Sequence, residues 1–122
     1  MSNLSNPHIR TRDIRTLVNL KSQDIVWDTG CDETSEWVFA SLEDDSYKKK
    51  LINWLSSKNI LSANEVVIVD SAWKDPKRVT WGEVLENPAE FFKKEMFQIY
   101  DVDLNWLMEY QAQEIVRFGR YN

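Results

Sequence analysis

Hydrophobic positions recur along this chain with two different periods, three to four residues in some segments and two in others. The clearest helical segment starts at Ser46. Five of its residues keep helical spacing and lie on one face: Tyr47, Leu51, Trp54, Leu55 and Lys58. The three lysines at positions 48–50 point mostly to the other side. A first helix is predicted near residues 11–22, where Ile14, Leu17, Val18 and Lys21 share a face.

Two capping signals follow each other closely in the second half of the chain. Thr80 precedes Glu83 with the spacing of a capping box, and Asn87 precedes Glu90 with Pro88 at the first helical position. The pair of signals predicts two short consecutive helices, with the residues at 91–92 facing the core.

Short segments rich in β-branched and aromatic residues predict the strands. Residues 25–27 and 37–40 are brief strand candidates, and residues 96–100 are a longer one. The continuous apolar run at 66–69 has no polar alternation, which indicates a central strand covered on both faces. Asp28, Thr29 and Gly30 read as a turn after the first strand.

The segment 104–118 fits two patterns. Alternation from Leu104 to Tyr110 favours a strand, whereas Leu104, Leu107, Met108, Ile115 and Phe118 also recur at helical intervals. We prefer a hairpin with residues 111–113 as its connection, because β-branched and aromatic residues crowd both arms.

These elements predict an α+β fold, with a mostly antiparallel sheet of about four to six strands packed with three or four helices. A chain of 122 residues has the length of one domain, so we expect a single globular domain over residues 1–122, with residues 1–8 mobile. It has no apolar segment of membrane-spanning length and a single cysteine, Cys31. We therefore expect a cytoplasmic protein without an internal disulfide.

The six tryptophans supply much of the apolar bulk. Trp54 and Trp106 are expected in the core because they fall on apolar faces of predicted elements. The other four lie near segment ends, where either packing or anchoring at an interface fits, and packing is the preferred interpretation: Trp27, Trp37, Trp73 and Trp81.

Charge is distributed unevenly, and this changes the functional picture. The stretch between Gln23 and Ser46 has no Lys or Arg, yet it carries eight carboxylates: Asp24, Asp28, Asp32, Glu33, Glu36, Glu43, Asp44 and Asp45. That exceeds the net charge of -5 of the whole chain. Unpaired like charges disfavour the compact state, so we expect either spatial separation or a cationic partner.

We predict that this acidic stretch forms a surface that binds a basic protein. The partner-binding residues are predicted to be Asp28, Asp32, Glu33, Glu36, Glu43, Asp44 and Asp45. The simpler alternative is internal compensation by the basic start of the first helix, which carries Arg10, Arg12 and Arg15. Nucleic acid is not an expected partner, because phosphate binding needs an excess of positive field.

Catalytic signals are sparse. His8 is the only histidine, and three glycines could hardly build a phosphate-binding loop. Asp101 and Asp103 resemble carboxylate pairs that hold Mg²⁺, although the spacing is common in acidic chains. We therefore expect no catalytic residues, no metal site and no cofactor.

Four segments carry a resemblance to a known class of proteins: Trp37-Val38-Phe39, Phe97-Gln98-Ile99-Tyr100-Asp101, Asn105-Trp106-Leu107 and Glu114-Ile115-Val116-Arg117-Phe118-Gly119. Together they resemble small bacterial immunity proteins of polymorphic toxin and contact-dependent growth inhibition systems. Those relatives often place His and acidic residues after the Trp-Leu strand, where this chain has Gln111-Ala112-Gln113.

The resemblance implies a cytosolic, non-catalytic protein that binds one cognate toxin domain, commonly a nuclease, and blocks it. A basic nuclease would suit the acidic stretch. Two alternatives remain: a carboxylate-dependent metal enzyme using Asp101 and Asp103, and an acidic inhibitor that mimics nucleic acid.

Overall fold

One antiparallel sheet forms the centre of the structure, which is a computed structural model. The model describes residues 4, 9–20, 24–28, 37–39, 45–70, 76–92, 95–111 and 114–121, with Ala89 described by its backbone alone. The strands are β1 (Ile25–Trp27), β2 (Val38–Phe39), β3 (Glu65–Asp70), β4 (Lys77–Thr80), β5 (Phe97–Asp101), β6 (Trp106–Gln111) and β7 (Ile115–Tyr121). Their order across the sheet is β1-β7-β6-β5-β3-β4, and β2 also pairs with β7.

The predicted α+β class and mostly antiparallel sheet are confirmed, but the expected strand number was too low. The described residues form seven strands instead of the expected four to six. The strand without a candidate in the sequence is β4, whereas β1 and β2 coincide with the brief candidates at 25–27 and 37–40 and are only three and two residues long. The apolar run at 66–69 is buried and lies in β3, which has β5 on one side and β4 on the other, as predicted.

Within the part of the chain that the structure describes, four helical segments accompany the sheet: α1 (Thr11–Leu20), α2 (Asp45–Ser56), α3 (Trp81–Glu86) and the single turn α4 (Pro88–Phe91). The capping box before α3 is confirmed, because the Thr80 hydroxyl accepts a hydrogen bond from the Glu83 amide at 3.3 Å. Before α4, Asn87 makes no side-chain cap, and Pro88 alone marks the start. No helix in the described part of the chain is long and apolar enough to cross a bilayer.

The segment 104–118 forms the predicted hairpin. β6 and β7 pair from Trp106 opposite Arg120 to Gln111 opposite Ile115. The amide of Glu114 donates to the Gln111 carbonyl at 3.0 Å, and Glu114 takes a positive φ of 61° in the turn. Residues 112–113 of the predicted connection lie outside the described residues.

The two faces of the sheet carry separate hydrophobic cores. The larger core lies between the sheet and the helices α2 to α4, and its central aromatic residues are Trp54, Trp81, Phe92, Phe97, Trp106, Tyr110 and Phe118. The smaller core lies under α1, and its main contributors are Leu4, Ile14, Val18, Val67, Val69, Tyr100 and Leu107. Trp54 and Trp106 are core residues as predicted, and Trp81 is fully buried. Helices lie on both faces of the sheet, and its outer strands are β1 and β2 at one edge and β4 at the other.

Candidate functional site

The acidic stretch is only partly described. Asp24 lies just before β1 and is exposed, Asp28 directly follows β1, and Asp45 begins α2. The remaining predicted binding residues lie outside the described residues: Asp32, Glu33, Glu36, Glu43 and Asp44. His8, Cys31 and Trp73 lie outside them too.

Asp28 already has cationic neighbours within the molecule. Lys58 donates to its Oδ2 at 3.0 Å, and Nε of Arg120 lies 3.8 Å from its Oδ1. The Lys58 side chain is only 8% exposed and lies over the rings of Trp54, at 4.2 Å, and Phe118, at 5.1 Å. Asp28 therefore anchors the end of β1 to the turn after α2.

Arg10 and Arg12, at the start of the α1 segment, both contact the nearby carboxylate of Asp13. Arg10 donates to Asp13 at 3.2 Å, and Nε of Arg12 lies 3.7 Å from the same carboxylate. The counter-charge for Asp28 thus comes from Lys58 and Arg120, and not from the arginines at the start of the first helix.

The corner between β2 and α2 exposes two aromatic side chains that touch each other. The rings of Phe39 and Tyr47 meet edge to face at 4.9 Å between their centres. Their exposed fractions are 48% and 41%. Asp45 lies in the first turn of α2 and is exposed, and the sequence places Glu43 and Asp44 between the two aromatic residues. This corner, defined by Phe39, Asp45 and Tyr47, is called the acidic-aromatic corner.

A second cluster on the sheet combines a cation with two tryptophans. The Arg117 guanidinium carbon lies 3.5 Å from the ring centre of Trp27 and 4.7 Å from that of Trp37. Its Nε and Nη2 both donate to Oε2 of Glu109, at 3.1 and 3.0 Å. The side chains of Arg117 and Glu109 are 22% and 14% exposed.

Sequence reasoning missed this cluster, although one signal for it was present. Arg117 lies between Val116 and Phe118, two residues buried in the larger core, so its side chain must leave the sheet on the opposite face. A cation in the middle of a strand needs partners there, and two of the four tryptophans near segment ends, for which packing was the preferred interpretation, supply them.

Two tyrosines lie beside Glu109. Burial is the main cause that raises the pKa of the Tyr100 phenol, followed by the charges of Tyr121 and Glu109. Burial and then Glu109 raise the pKa of Tyr121 in the same direction. Both phenols are neutral at physiological pH, and Tyr100 donates a hydrogen bond to Oε1 of Gln98 at 2.8 Å.

Asp101 and Asp103, the carboxylate pair suggested for a metal, differ in their surroundings. Asp101 is 2% exposed, and its two oxygens accept from the Asn105 amide and from Nδ2 of Asn64, each at 3.1 Å. Asp103 is exposed. Among the described residues, no group of three His, Cys, Asp or Glu side chains could hold a metal ion. Asp101 fixes the β5–β6 turn, in which Leu104 takes a positive φ of 55°.

An open groove of about 550 Å³ lies near α4, away from these clusters. Its lining combines apolar residues, among them Ile68, Phe91 and Phe97, with charged residues such as Asp70 and Glu90. None of the site residues predicted from sequence lines it.

Comparison of the chain with protein-family models, with curated proteins and with solved structures finds no match. The functional assignment therefore depends on the chemistry of these surfaces.

Proposed function

We propose that this chain is an immunity protein, which binds a cognate basic toxin domain and neutralises it through an acidic surface. The observation that carries the proposal is the acidic-aromatic corner. An exposed aromatic pair beside a carboxylate is an arrangement suited to a protein contact, since aromatic side chains are frequent binding hot spots.

Charge supports a basic partner. Only Asp28 and Asp45 of the seven predicted binding residues are described, and Asp28 is engaged by Lys58 and Arg120. The proposed contact surface is therefore centred on Asp45 and on the carboxylates that flank it in sequence, Glu43 and Asp44, with Asp32, Glu33 and Glu36 contributing to the field. Complementary fields of this kind raise association rates by about tenfold or more at low salt.

The aromatic pair is expected to act on the dissociation rate, which charge alone affects little. Electrostatic steering mainly affects the association rate, whereas a desolvated aromatic anchor mainly slows dissociation. Tyr47 has Lys50 near its ring, at 5.9 Å, and Asp45 two residues before it, so the anchor has a polar rim.

The test uses the C-terminal domain of an exported protein encoded immediately upstream of this chain as the binding probe. Surface plasmon resonance across a range of salt concentrations measures its association and dissociation rates. Neutralising Asp32, Glu33, Asp44 and Asp45 to Asn or Gln should slow association and flatten its salt dependence. Replacing both Phe39 and Tyr47 by Ala should speed dissociation by about tenfold or more.

Matched controls distinguish an effect of the proposed contact surface from an effect of the protein's overall charge. Neutralising four exposed glutamates elsewhere, Glu65, Glu86, Glu90 and Glu95, removes the same charge from other positions. Leu61→Ala removes an exposed apolar side chain outside the corner. Equal effects of the two charge sets, or no binding of the upstream domain by the wild type, would contradict the proposal.

A further inference from the structure

β1 and β2 lie one after the other along the same edge of β7. Trp27 pairs with Gly119 and Val38 pairs with Val116, so two β7 residues lie between these pairs. The chain between Trp27 and Val38 contains ten residues, which is eight more than an uninterrupted strand would need. Both strands run antiparallel to β7, and β6 occupies its other edge.

The pairing limits where the extra residues enter. The Asp28 amide donates to the Phe118 carbonyl at 2.8 Å, which extends β1 by one residue. Continuing β2 backwards by one residue brings Trp37 opposite Arg117. The eight extra residues are therefore 29–36, inserted into what is otherwise one edge strand.

Arg117 contacts both sides of this insertion. Its guanidinium lies against Trp27, one residue before Asp28, and against Trp37, the first residue after the insertion. Glu109 on β6 accepts hydrogen bonds from two nitrogens of the guanidinium. These bonds hold the guanidinium in place, so it cannot move with one tryptophan and lose contact with the other. The planar fork that stacks and donates at the same time is particular to arginine, and lysine cannot reproduce it.

We infer that Arg117 is a positioning residue that holds the two halves of the interrupted strand together. It thereby fixes the positions of Asp28 and Trp37, the described residues on either side of the segment that contains Asp32, Glu33 and Glu36 in the sequence. The consequence for binding rests on the proposed function: a segment anchored at both ends loses less conformational freedom when it meets a partner.

Hydrogen exchange measured by NMR tests the anchoring without any partner. In Arg117→Lys, the Asp28 amide and the amides of β2 should exchange faster together, by about tenfold, while β5 and β6 keep wild-type rates. Trp37→Leu should also accelerate exchange at Asp28, because the two sides are coupled through Arg117. Arg120→Lys is the matched control on the same strand, and it should leave β2 unchanged.

Faster exchange on one side only in Arg117→Lys, or an unchanged Asp28 amide in Trp37→Leu, would overturn the inference. If the Arg117→Lys variant fails to fold, a second variant that lacks residues 29–36 tests the same inference. Because Asp28 and Trp37 oppose consecutive β7 residues, the variant without residues 29–36 should unfold cooperatively, and its β7 amides should exchange at rates close to those of the wild type. Loss of cooperative unfolding would show that the two halves do not form one strand.

Binding to the upstream-encoded domain separates this inference from the proposed function. Arg117→Lys keeps every carboxylate, and it should weaken binding by about threefold or more if the anchored segment contributes. Coupled exchange with unchanged binding would support the anchoring and count against the acidic contact surface. Uncoupled exchange would overturn the anchoring whatever the binding result.

Discussion

Lys58 and Asp28, 30 residues apart in sequence, form a largely buried ion pair at 3.0 Å that joins the turn after α2 to the end of β1. The Lys58 ammonium also lies on the faces of Trp54 and Phe118. A cation in this position depends on its carboxylate, because little water reaches it. The carboxylate is about a quarter exposed and also faces Arg120, so it depends less on the lysine.

This asymmetry predicts unequal costs of neutralising the two partners. Asp28→Asn leaves the buried ammonium without its counter-charge and should lower the free energy of unfolding by about 1–3 kcal/mol. Lys58→Met keeps the apolar stem against Trp54 and should cost less than about 1 kcal/mol. Urea denaturation measures both values, and Asp24→Asn, at an exposed position nearby, should be neutral. A larger loss for Lys58→Met than for Asp28→Asn would contradict the assigned roles.

Gly119 is the residue over which Trp27 lies. A Cβ atom at this position would fall 2.7 Å from Cε3 of Trp27 and 2.8 Å from Cγ2 of Ile25, closer than real contacts allow. Gly119→Ala should therefore displace β1 and cost about 1–3 kcal/mol of stability, measured by thermal or urea unfolding. Trp27→Val removes the larger obstacle, so the double variant should lose less than the sum of the single losses. Additive losses would show that Trp27 does not press on this position.

Asp101 should behave as a structural residue and show no metal dependence. Asp101→Asn replaces one accepting oxygen by a donor, so one of the hydrogen bonds from Asn105 and Asn64 is lost, at a cost of about 1–3 kcal/mol. Asp103→Asn, at an exposed position, is the matched control and should change little. Addition of Mg²⁺, Mn²⁺ or Ca²⁺ should leave the wild-type melting temperature unchanged. A metal-dependent rise that Asp101→Asn abolishes would instead favour the carboxylate-dependent enzyme.

Periodicity predicted the elements that bury a regular face. α2 was predicted because Leu51, Trp54 and Leu55 recur at helical spacing. β3 was predicted because the four residues at 66–69 form a continuous apolar run of strand length. The hairpin was chosen over a helix by residue type, because period alone fitted both. β1 and β2 were found as candidates but not as parts of one edge strand, since segments of two or three residues carry no readable register.

The contacts of the candidate sites were less predictable because they are set by tertiary packing. The sequence identified the acidic stretch, but nothing in it linked Asp28 to Lys58. It favoured packing for Trp27 and Trp37 but could not identify their shared partner, because Arg117 lies at the far end of the chain. Register with β7 brings these residues together, and register is fixed by the whole sheet.

Alkaline pH should destabilise the fold through Tyr100 and Tyr121. Burial and the nearby Glu109 carboxylate raise the pKa of both phenols above the ordinary value, so the folded state holds these protons more tightly than the unfolded chain. Their contribution to stability is complete below pH about 10 and is lost as the pH rises from there towards the folded-state pKa. Absorbance at a tyrosinate wavelength should show phenols that titrate late, and replacing Tyr100 and Tyr121 with Phe should reduce that late part of the rise. Replacing both with Phe should flatten the fall in unfolding free energy between neutral and alkaline pH. An equally steep fall in the double Phe variant would assign the alkaline sensitivity to other groups.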